Sequence, residues 1–423
     1  MLELDELTSI IRSECVLTAG CTDPGCVALA VARARRELGR EPERIDVQVS
    51  LNVYKNGVSV GIPGTGEHGL TLAAALGGLI DRCEDGLAVL SGVTEPLLER
   101  AHAMVAAGTV RVEAAPSPDP LYVRATVSAE GDTASAEIQG DYTDIVRVTH
   151  GDKVVFTSEP PAHLASDNPL LRHSLRELYD LIMGADPAAF SFLLDYARIN
   201  WAAAETDLAD TKMTLGSSLQ KTLCCDSPAE SAQLYTAAAA EARMAGLNVE
   251  IMAIAGSGNH GITDFVGVTA AARALHSSEE ALERALALSS MITVYIKGYL
   301  QRMTAFCGCS VAAATGVTAA VVYLMGGSYE QGVHAMQSVI GTLGGMFCDG
   351  AKLSCAYKLS TASRMAVQFA ELALRDCYLP APVGILGKTI EQTFANIGRL
   401  NDPGMLETEK EIVSVIRCGQ AEI

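Results

Sequence analysis

The feature that most constrains this chain is a long stretch, residues 303–329, that contains no charged side chain. It is longer than the roughly 20 residues that a helix needs to cross a bilayer. Its residues are mostly small, dominated by Ala, Gly, Ser and Thr, and no second span of large aliphatic residues accompanies it. The stretch therefore predicts a central helix buried on all sides by other elements, rather than a membrane span.

The charge balance argues against one broad class of partner. The 423-residue chain has a formal net charge of -19, so it would repel a phosphate backbone. Its first residues lack the basic start and apolar core of a signal peptide, which predicts a cytoplasmic protein with no membrane partner. In that compartment the 12 cysteines stay reduced and available to metal. The mass of 44.4 kDa predicts two packed domains or one large one.

Periodicity divides the chain into a mixed region, residues 1–160, and a mainly helical region, residues 161–423, with the linker near Pro160 and Pro161. In the first region helical spacing covers 5–13, 24–38, 70–80 and 93–107. Strand alternation covers 44–53, 58–62, 110–114, 121–128, 134–139, 144–149 and 153–157, with a hairpin turn at Asn56-Gly57 and the last five strands as an antiparallel meander. We predict an α+β fold in which this strand and helix region packs on a large helical region with a buried central helix.

Four cysteines stand in settings that simple core packing does not require. Cys348 and Cys355 lie in a glycine-rich polar segment, Cys307 lies near the start of the uncharged stretch, and Cys21 opens a turn. Soft thiolates from several loops are what an iron–sulfur cluster needs. The spacing matches neither a tight iron–sulfur motif nor a zinc finger, so core packing and cluster ligation both stay open for the Cys348 and Cys355 pair. Cys309 is a rival ligand that ranks second.

Cys21 directly precedes a predicted helix, with Asp23 as the N-cap and Pro24 as the first helical residue. The N-terminus of a helix favours a negative charge, which lowers the pKa of a thiol. We therefore expect Cys21 to ionise readily.

Two glycine-bearing loops, residues 62–69 and 255–262, are candidates for binding an anion. Neither is followed by Gly-Lys-Ser/Thr, which argues against a nucleotide P-loop. Backbone N–H groups in such loops can bind a carboxylate. The first loop is better explained as a tight turn; in the second, Ser257, Asn259 and His260 add side-chain donors, and a turn and a binding loop are equally supported.

Several motifs together resemble the iron–sulfur L-cysteine desulfidase family, which is related to the alpha portion of bacterial iron–sulfur L-serine dehydratases. The resemblance covers nearly the whole chain and rests on the order and spacing of GCTDP from residue 20, YKNG from 54, PGTG from 63, EARM from 241, GSGNHGI from 256, MFCDG from 346 and SCA from 354. It implies a 4Fe-4S cluster on Cys307, Cys348 and Cys355 and a catalytic cysteine at Cys21. Family members convert L-cysteine to sulfide, ammonia and pyruvate without pyridoxal phosphate, a step of cysteine catabolism.

The reaction also needs contacts to the carboxylate and amine of a small amino-acid substrate. Arg243 is a candidate for a bidentate clamp on the carboxylate, although an exposed helix arginine is the commoner explanation for such a residue. The candidate contacts are Asn52, Lys55, Asn56, Thr65, Arg243, Ser257, Asn259 and His260.

Two departures from the family pattern leave the substrate open. Family members commonly have Glu where Asp23 stands, and His where this chain has Tyr142. An L-serine dehydratase with the same cluster is therefore an alternative. A second alternative is a non-catalytic metal-binding or redox-switch protein. The oligomeric state, including a homo-oligomer, and the oxygen tolerance also stay open.

Overall fold

A computed structural model of the protein describes residues 2–115, 117, 119–159, 168–300 and 303–421. Its α-helices span Leu4–Ser13 (α1), Thr22–Leu38 (α2), Leu51–Gly57 (α3), Leu70–Leu79 (α4), Glu95–Ala106 (α5), Leu175–Gly184 (α6), Phe192–Ala209 (α7), Leu215–Thr222 (α8), Pro228–Met244 (α9), Gly258–Gly261 (α10), Gly267–Ala274 (α11), Glu279–Leu300 (α12), Ala314–Leu324 (α13), Tyr329–Leu343 (α14), Ser354–Ala373 (α15), Ile390–Asn401 (α16) and Leu406–Ala421 (α17).

The strands are Cys15–Ala19 (β1), Arg44–Val49 (β2), Val110–Ala114 (β3), Tyr122–Ala129 (β4), Asp132–Gln139 (β5), Ile145–His150 (β6), Lys153–Thr157 (β7) and Glu250–Ile254 (β8). Short 3-10 helices cover Cys83–Ala88, Pro169–Arg172 and Pro187–Phe190, and π-helical turns cover Ile262–Val266 and Cys309–Ala313. The predicted α+β class is confirmed.

The larger sheet has six strands in the order β3-β2-β4-β5-β6-β7. Strands β4 to β7 form the predicted antiparallel meander, whereas β3 pairs with β2 in parallel and so lies outside it. One face of β4 carries Val123, Ala125 and Val127, which are buried in the same apolar core as residues of α2 and α4. Alternation along the strand therefore fixes which face of the sheet the helices cover.

The predicted hairpin at Asn56-Gly57 is wrong. Strand β2 ends at Val49, and Ser50 then caps α3 by accepting a hydrogen bond at Oγ from the backbone N–H of Val53 (3.4 Å). Residues 58–62 form no strand, although Gly61 makes an isolated bridge to His68. A helix cap and the burial of one helix face outweigh the local turn preference of Asn-Gly here.

The helical region surrounds the uncharged stretch, as predicted. Every residue from Cys309 to Val322, in the second π-helical turn and α13, is buried. Among the described residues, no helix is both long enough and apolar enough to cross a membrane.

The start of the chain packs with the helical region rather than with the sheet. Leu7 and Ile11 of α1 lie in the same apolar core as the later helices, and β1 pairs antiparallel with β8. The predicted linker at Pro160 and Pro161 lies outside the described residues, and the division at residue 160 stays a prediction.

Candidate active site

A cavity of about 100 Å³ lies where α2 and α3 meet the helical region. All of the predicted site residues except Thr65 line it. Its walls consist of Cys21, Thr22, Asp23, Asn52, Lys55, Asn56, Tyr142, Arg243, Gly256, Ser257, Asn259, His260, Lys297, Met303, Thr304, Cys307, Gly308, Cys309, Cys348, Gly350, Ala351, Cys355 and Leu359. Residues from distant parts of the sequence therefore share one small space.

The predicted role of Thr65 as a substrate contact is not supported. Its Oγ1 donates to the carbonyl of Ile62 (2.8 Å) and accepts from the backbone N–H of Glu67 (3.0 Å). These bonds close the turn of residues 62–67, as the tight-turn interpretation of this loop predicts.

A short backbone ladder brings the cysteine segments together. Phe306 and Phe347 form an antiparallel bridge, in which Cys307 N–H donates to Met346 (2.8 Å) and Cys348 N–H donates to Ala305 (2.7 Å). Cys355 follows at the start of α15 and packs against Cys21 and its apolar neighbours. Cys307, Cys348 and Cys355 therefore face a common cavity although 48 positions separate the first from the last.

The segment between the last two cysteines is held against α3. Gly350 has a φ of +95°, and a Cβ there would lie 1.9 Å from the carbonyl oxygen of Lys55. Only glycine permits both this backbone conformation and this approach. Asp349 pairs with Lys352 and Lys358, which anchors the same segment to α15.

The cysteine side chains shift one another's pKa values through hydrogen bonding and charge. The thiol of Cys309 donates to Cys307, which lowers the pKa of Cys307 and raises that of Cys309. Burial, followed by the neighbouring Cys348, raises the pKa of Cys355 to about 12. A positive centre among these sulfurs would relieve this mutual repulsion.

The donor set has the chemistry of an iron–sulfur site, because soft thiolates from separate segments are the ligands that such a cluster takes. Among the described residues, no group of three or more His, Cys, Asp or Glu side chains is placed to hold a single metal ion. Cys307, Cys348 and Cys355, three soft donors on one cavity, suit such a cluster.

Cys21 occupies the N-cap position of α2, so the helix begins two residues earlier than predicted and Asp23 lies in its first turn. The expected low pKa of Cys21 is wrong: burial raises the pKa to about 12, against a lowering effect of Arg243. Desolvation outweighs the helix N-terminus because the thiol is only 3% exposed. Its Sγ–H donates to Asp23 Oδ2 at 3.7 Å.

Arg243 lies in the last turn of α9 and is buried, which excludes an ordinary exposed helix arginine. Its Nε donates to the carbonyl of Gly20 and its Nη1 to Asn259 Oδ1, both at 3.0 Å. These bonds hold the guanidinium between the turn before α2 and the loop before α10. A buried, oriented guanidinium with further N–H groups is suited to a carboxylate.

His260 is also buried on this wall. Burial lowers its pKa to about 3, and the positive charge of Lys297 acts in the same direction. The ring is therefore neutral at pH 7 and is available as a hydrogen-bonding group rather than as a cation.

The predicted residues Asn52, Lys55 and Asn56 reach the cavity because α3 is a helix. Positions 52, 55 and 56 are separated by three and four residues and so share one face. Lys55 forms an ion pair with Glu409 of α17, with 2.6 Å between Nζ and Oε1. Its charge therefore serves to dock the C-terminal helix at the cavity.

Sequence reasoning missed several cavity residues, of which Lys297 and Met303 bear most directly on the chemistry of the site. Lys297 is a single lysine within the apolar run of α12, and that isolated charge was a usable signal. Met303 lay within the uncharged stretch and gave none. Its Sδ accepts hydrogen bonds from Tyr142 Oη (3.7 Å) and Asn56 Nδ2 (3.6 Å), so Tyr142 lies in the wall of the cavity.

A small cavity with convergent thiols, a buried arginine and perturbed titratable groups is typical of an enzyme that acts on a small molecule. Residues 188–414 match the family model described as serine dehydratase alpha chain. Full-length similarity extends to UPF0597 proteins of Methanocella arvoryzae (47% identical, 97% of both chains), Oleidesulfovibrio alaskensis (38%, 98% of both) and Bacteroides fragilis (37%, 98% of both). This chain therefore belongs to the serine dehydratase alpha chain family, a family of lyase-type enzymes, which confirms the resemblance found in the motifs.

Proposed function

We propose that the chain is an L-cysteine desulfidase, which eliminates the β-substituent of L-cysteine to give sulfide, ammonia and pyruvate. The observation that carries the proposal is the convergence of Cys307, Cys348 and Cys355 on one cavity with Cys21 and Arg243. Three thiols alone would suit a structural metal site. A fourth, non-ligand thiol and a buried guanidinium add what an amino-acid substrate requires.

Cys307, Cys348 and Cys355 would hold a 4Fe-4S cluster, which when bound supplies an open iron that binds the departing sulfur as a Lewis acid. Arg243 binds the substrate carboxylate, and Asn259, which accepts from Arg243, keeps the guanidinium in place. The cavity, about 100 Å³ in volume, suits a small amino acid. The aminoacrylate product then hydrolyses to pyruvate and ammonia, with no role for pyridoxal phosphate.

L-Serine dehydration is the second candidate, and the family description favours it. The two reactions differ only in the atom that leaves Cβ. The net charge of -19 supports a small zwitterion rather than a nucleic acid as the partner in either case. The proposal holds both for a monomer and for a homo-oligomer of this chain.

The first experiment is iron and acid-labile sulfide analysis of anaerobically purified protein. We expect Cys307→Ser, Cys348→Ser and Cys355→Ser each to lose the cluster and Cys309→Ser to retain it. Cys83→Ser is the matched control, because this half-buried thiol lies beside Arg36 on another surface. Zinc or no metal in the wild-type protein would favour the non-catalytic alternative instead.

The second experiment measures sulfide and pyruvate released from L-cysteine and L-serine. A higher kcat/KM for L-cysteine, independent of added pyridoxal phosphate, supports the desulfidase. Cys21→Ser is expected to keep the iron and lose most turnover. Preference for L-serine would replace the proposed substrate without changing the class of reaction.

A further inference from the structure

Among the described residues that line the cavity, Asp23 is the one carboxylate. It is 3% exposed, and its Oδ1 has no hydrogen-bond partner among them. Burying a carboxylate costs free energy unless it is paired and hydrogen-bonded, and the partners of Asp23 are the Cys21 thiol, the Asn56 side chain and the charge of Arg243. Helix capping does not explain the residue, because Cys21 occupies the cap position and Asp23 lies one residue inside the helix.

The neighbour of Asp23 is a thiol that lacks a base of its own. Cys21 is the hydrogen-bond donor in the contact with Asp23 Oδ2 at 3.7 Å. Because this thiol holds the proton that it donates to Asp23, it can take a second proton only if another group accepts the first. In the described structure Asp23 is the group placed to accept it.

We propose that Asp23 is the general base of this site, taking the thiol proton of Cys21 while the Cys21 sulfur takes the proton from Cα of the substrate. The inference rests on the proposed function and adds a catalytic residue to it. Burial raises the pKa of Asp23 to about 7, against the lowering effect of Arg243, so its carboxylate is a stronger base than an ordinary aspartate.

The step conserves protons and electrons. The Cα–H bond breaks and its proton moves to the Cys21 sulfur, while the proton of Cys21 moves to Asp23 Oδ2. The electron pair left on Cα forms the Cα=Cβ double bond, and the pair of the Cβ–S bond leaves with the sulfur as hydrosulfide. Asp23 ends neutral, and the single negative charge leaves with the product.

Arg243 has a second role in this scheme. Its charge acts on both Cys21 and Asp23, and it is hydrogen-bonded to Gly20, the residue directly before Cys21. A substrate whose carboxylate lies on Arg243 is thereby held next to the Cys21–Asp23 pair. One guanidinium positions both the reactant and the base.

The test compares Asp23→Asn with Asp23→Glu in the cluster-containing enzyme, with Asp46→Asn as a surface control that loses only an ion pair with Arg44. Removal of the Cα proton is followed by NMR as exchange into deuterated water. L-Alanine is the probe because it has no leaving group, and L-cysteine is measured in parallel. We expect Asp23→Asn to slow exchange and turnover by about 10²- to 10⁴-fold with iron retained, and to lose the acid limb of the pH profile. Asp23→Glu should restore most of both.

An Asp23→Asn enzyme that exchanges the Cα proton at the wild-type rate, or shows only a raised KM, would overturn the inference and leave the desulfidase intact. Loss of exchange in Asp23→Asn without sulfide release by the wild type would support Asp23 and overturn the proposed substrate. Wild-type protein that neither exchanges the proton nor releases sulfide or pyruvate would overturn both.

Discussion

The ion pair between Lys55 and Glu409 provides the sharpest test of how the C-terminal helix is held. The Lys55 side chain is 1% exposed and that of Glu409 14%, with 2.6 Å between Nζ and Oε1. Glu409→Gln keeps the size of the side chain and removes its charge. Breaking a buried pair from one side costs about 3–5 kcal/mol, because the other charge stays buried without compensation.

The same helix offers a matched control. Glu407 and Lys410 also lie 2.6 Å apart, but their side chains are 86% and 60% exposed. Exposed pairs contribute about 0–1 kcal/mol, so Glu407→Gln should change stability little. Because the two pairs have the same N–O distance, the difference in stability between the two variants measures the effect of burial.

Urea unfolding of the two variants and the wild type, followed by circular dichroism, measures the free energies. The double variant Lys55→Met/Glu409→Met should recover most of the loss, because it removes both buried charges. A loss for Glu409→Gln no larger than that for Glu407→Gln would refute the reasoning. It would show that α17 does not depend on this pair.

Three further outcomes test the cavity itself. Gly258→Ala should raise KM about 10- to 100-fold with iron retained, because the new Cβ would lie 2.6 Å from Arg243 Nε. A lost charge-assisted hydrogen bond costs about 1.5–3 kcal/mol. Gly267→Ala is the control and should have no such effect, because its nearest contact is an ordinary 3.5 Å. Burial gives His260 a pKa of about 3 in the folded chain, so the unfolded chain binds one more proton between about pH 3 and about pH 6.5. The free energy of unfolding should therefore fall by up to about 1.4 kcal/mol per pH unit as the pH drops through that range. His260→Gln should remove this slope in urea unfolding. Tyr142→His should raise kcat/KM for L-cysteine relative to L-serine, because it places in the cavity wall the histidine that the resembled desulfidase family has at this position. An unchanged ratio would remove Tyr142 from substrate choice.

The sequence predicted much of the fold where one local pattern matched one environment. Strand β7 and helix α1 lie where alternation and helical spacing place them, within a residue at each end. Strands β4, β5 and β6 of the meander were recognisable because each has one buried face, whereas β7 is exposed along its whole length. The pattern failed at α3 and at β3, where a cap residue and a parallel partner from elsewhere in the chain decided the structure.

The motifs predicted which residues form the candidate site, but not which contacts those residues make. Cys21, Arg243 and Cys307 were identifiable as chemically suited residues, and all three line the cavity. Thr65 was a plausible donor by type, yet its hydroxyl closes its own turn. The spacing of residues in a sequence shows which side chains are present. It does not show which of their atoms already make hydrogen bonds within the protein.

The sequence by itself determined that the uncharged stretch is buried, as it is from Cys309 to Val322, that the chain combines strands with a large helical region, and that its cysteine and glycine motifs follow one family pattern. These are properties of composition and short-range order. Only the tertiary structure decided that Cys21 is a protonated thiol beside Asp23 rather than a ready thiolate. The reason is physical: a pKa depends on the water and charges around a group, and the surroundings of Cys21 include Met244 and Arg243, which lie more than two hundred positions away in the sequence.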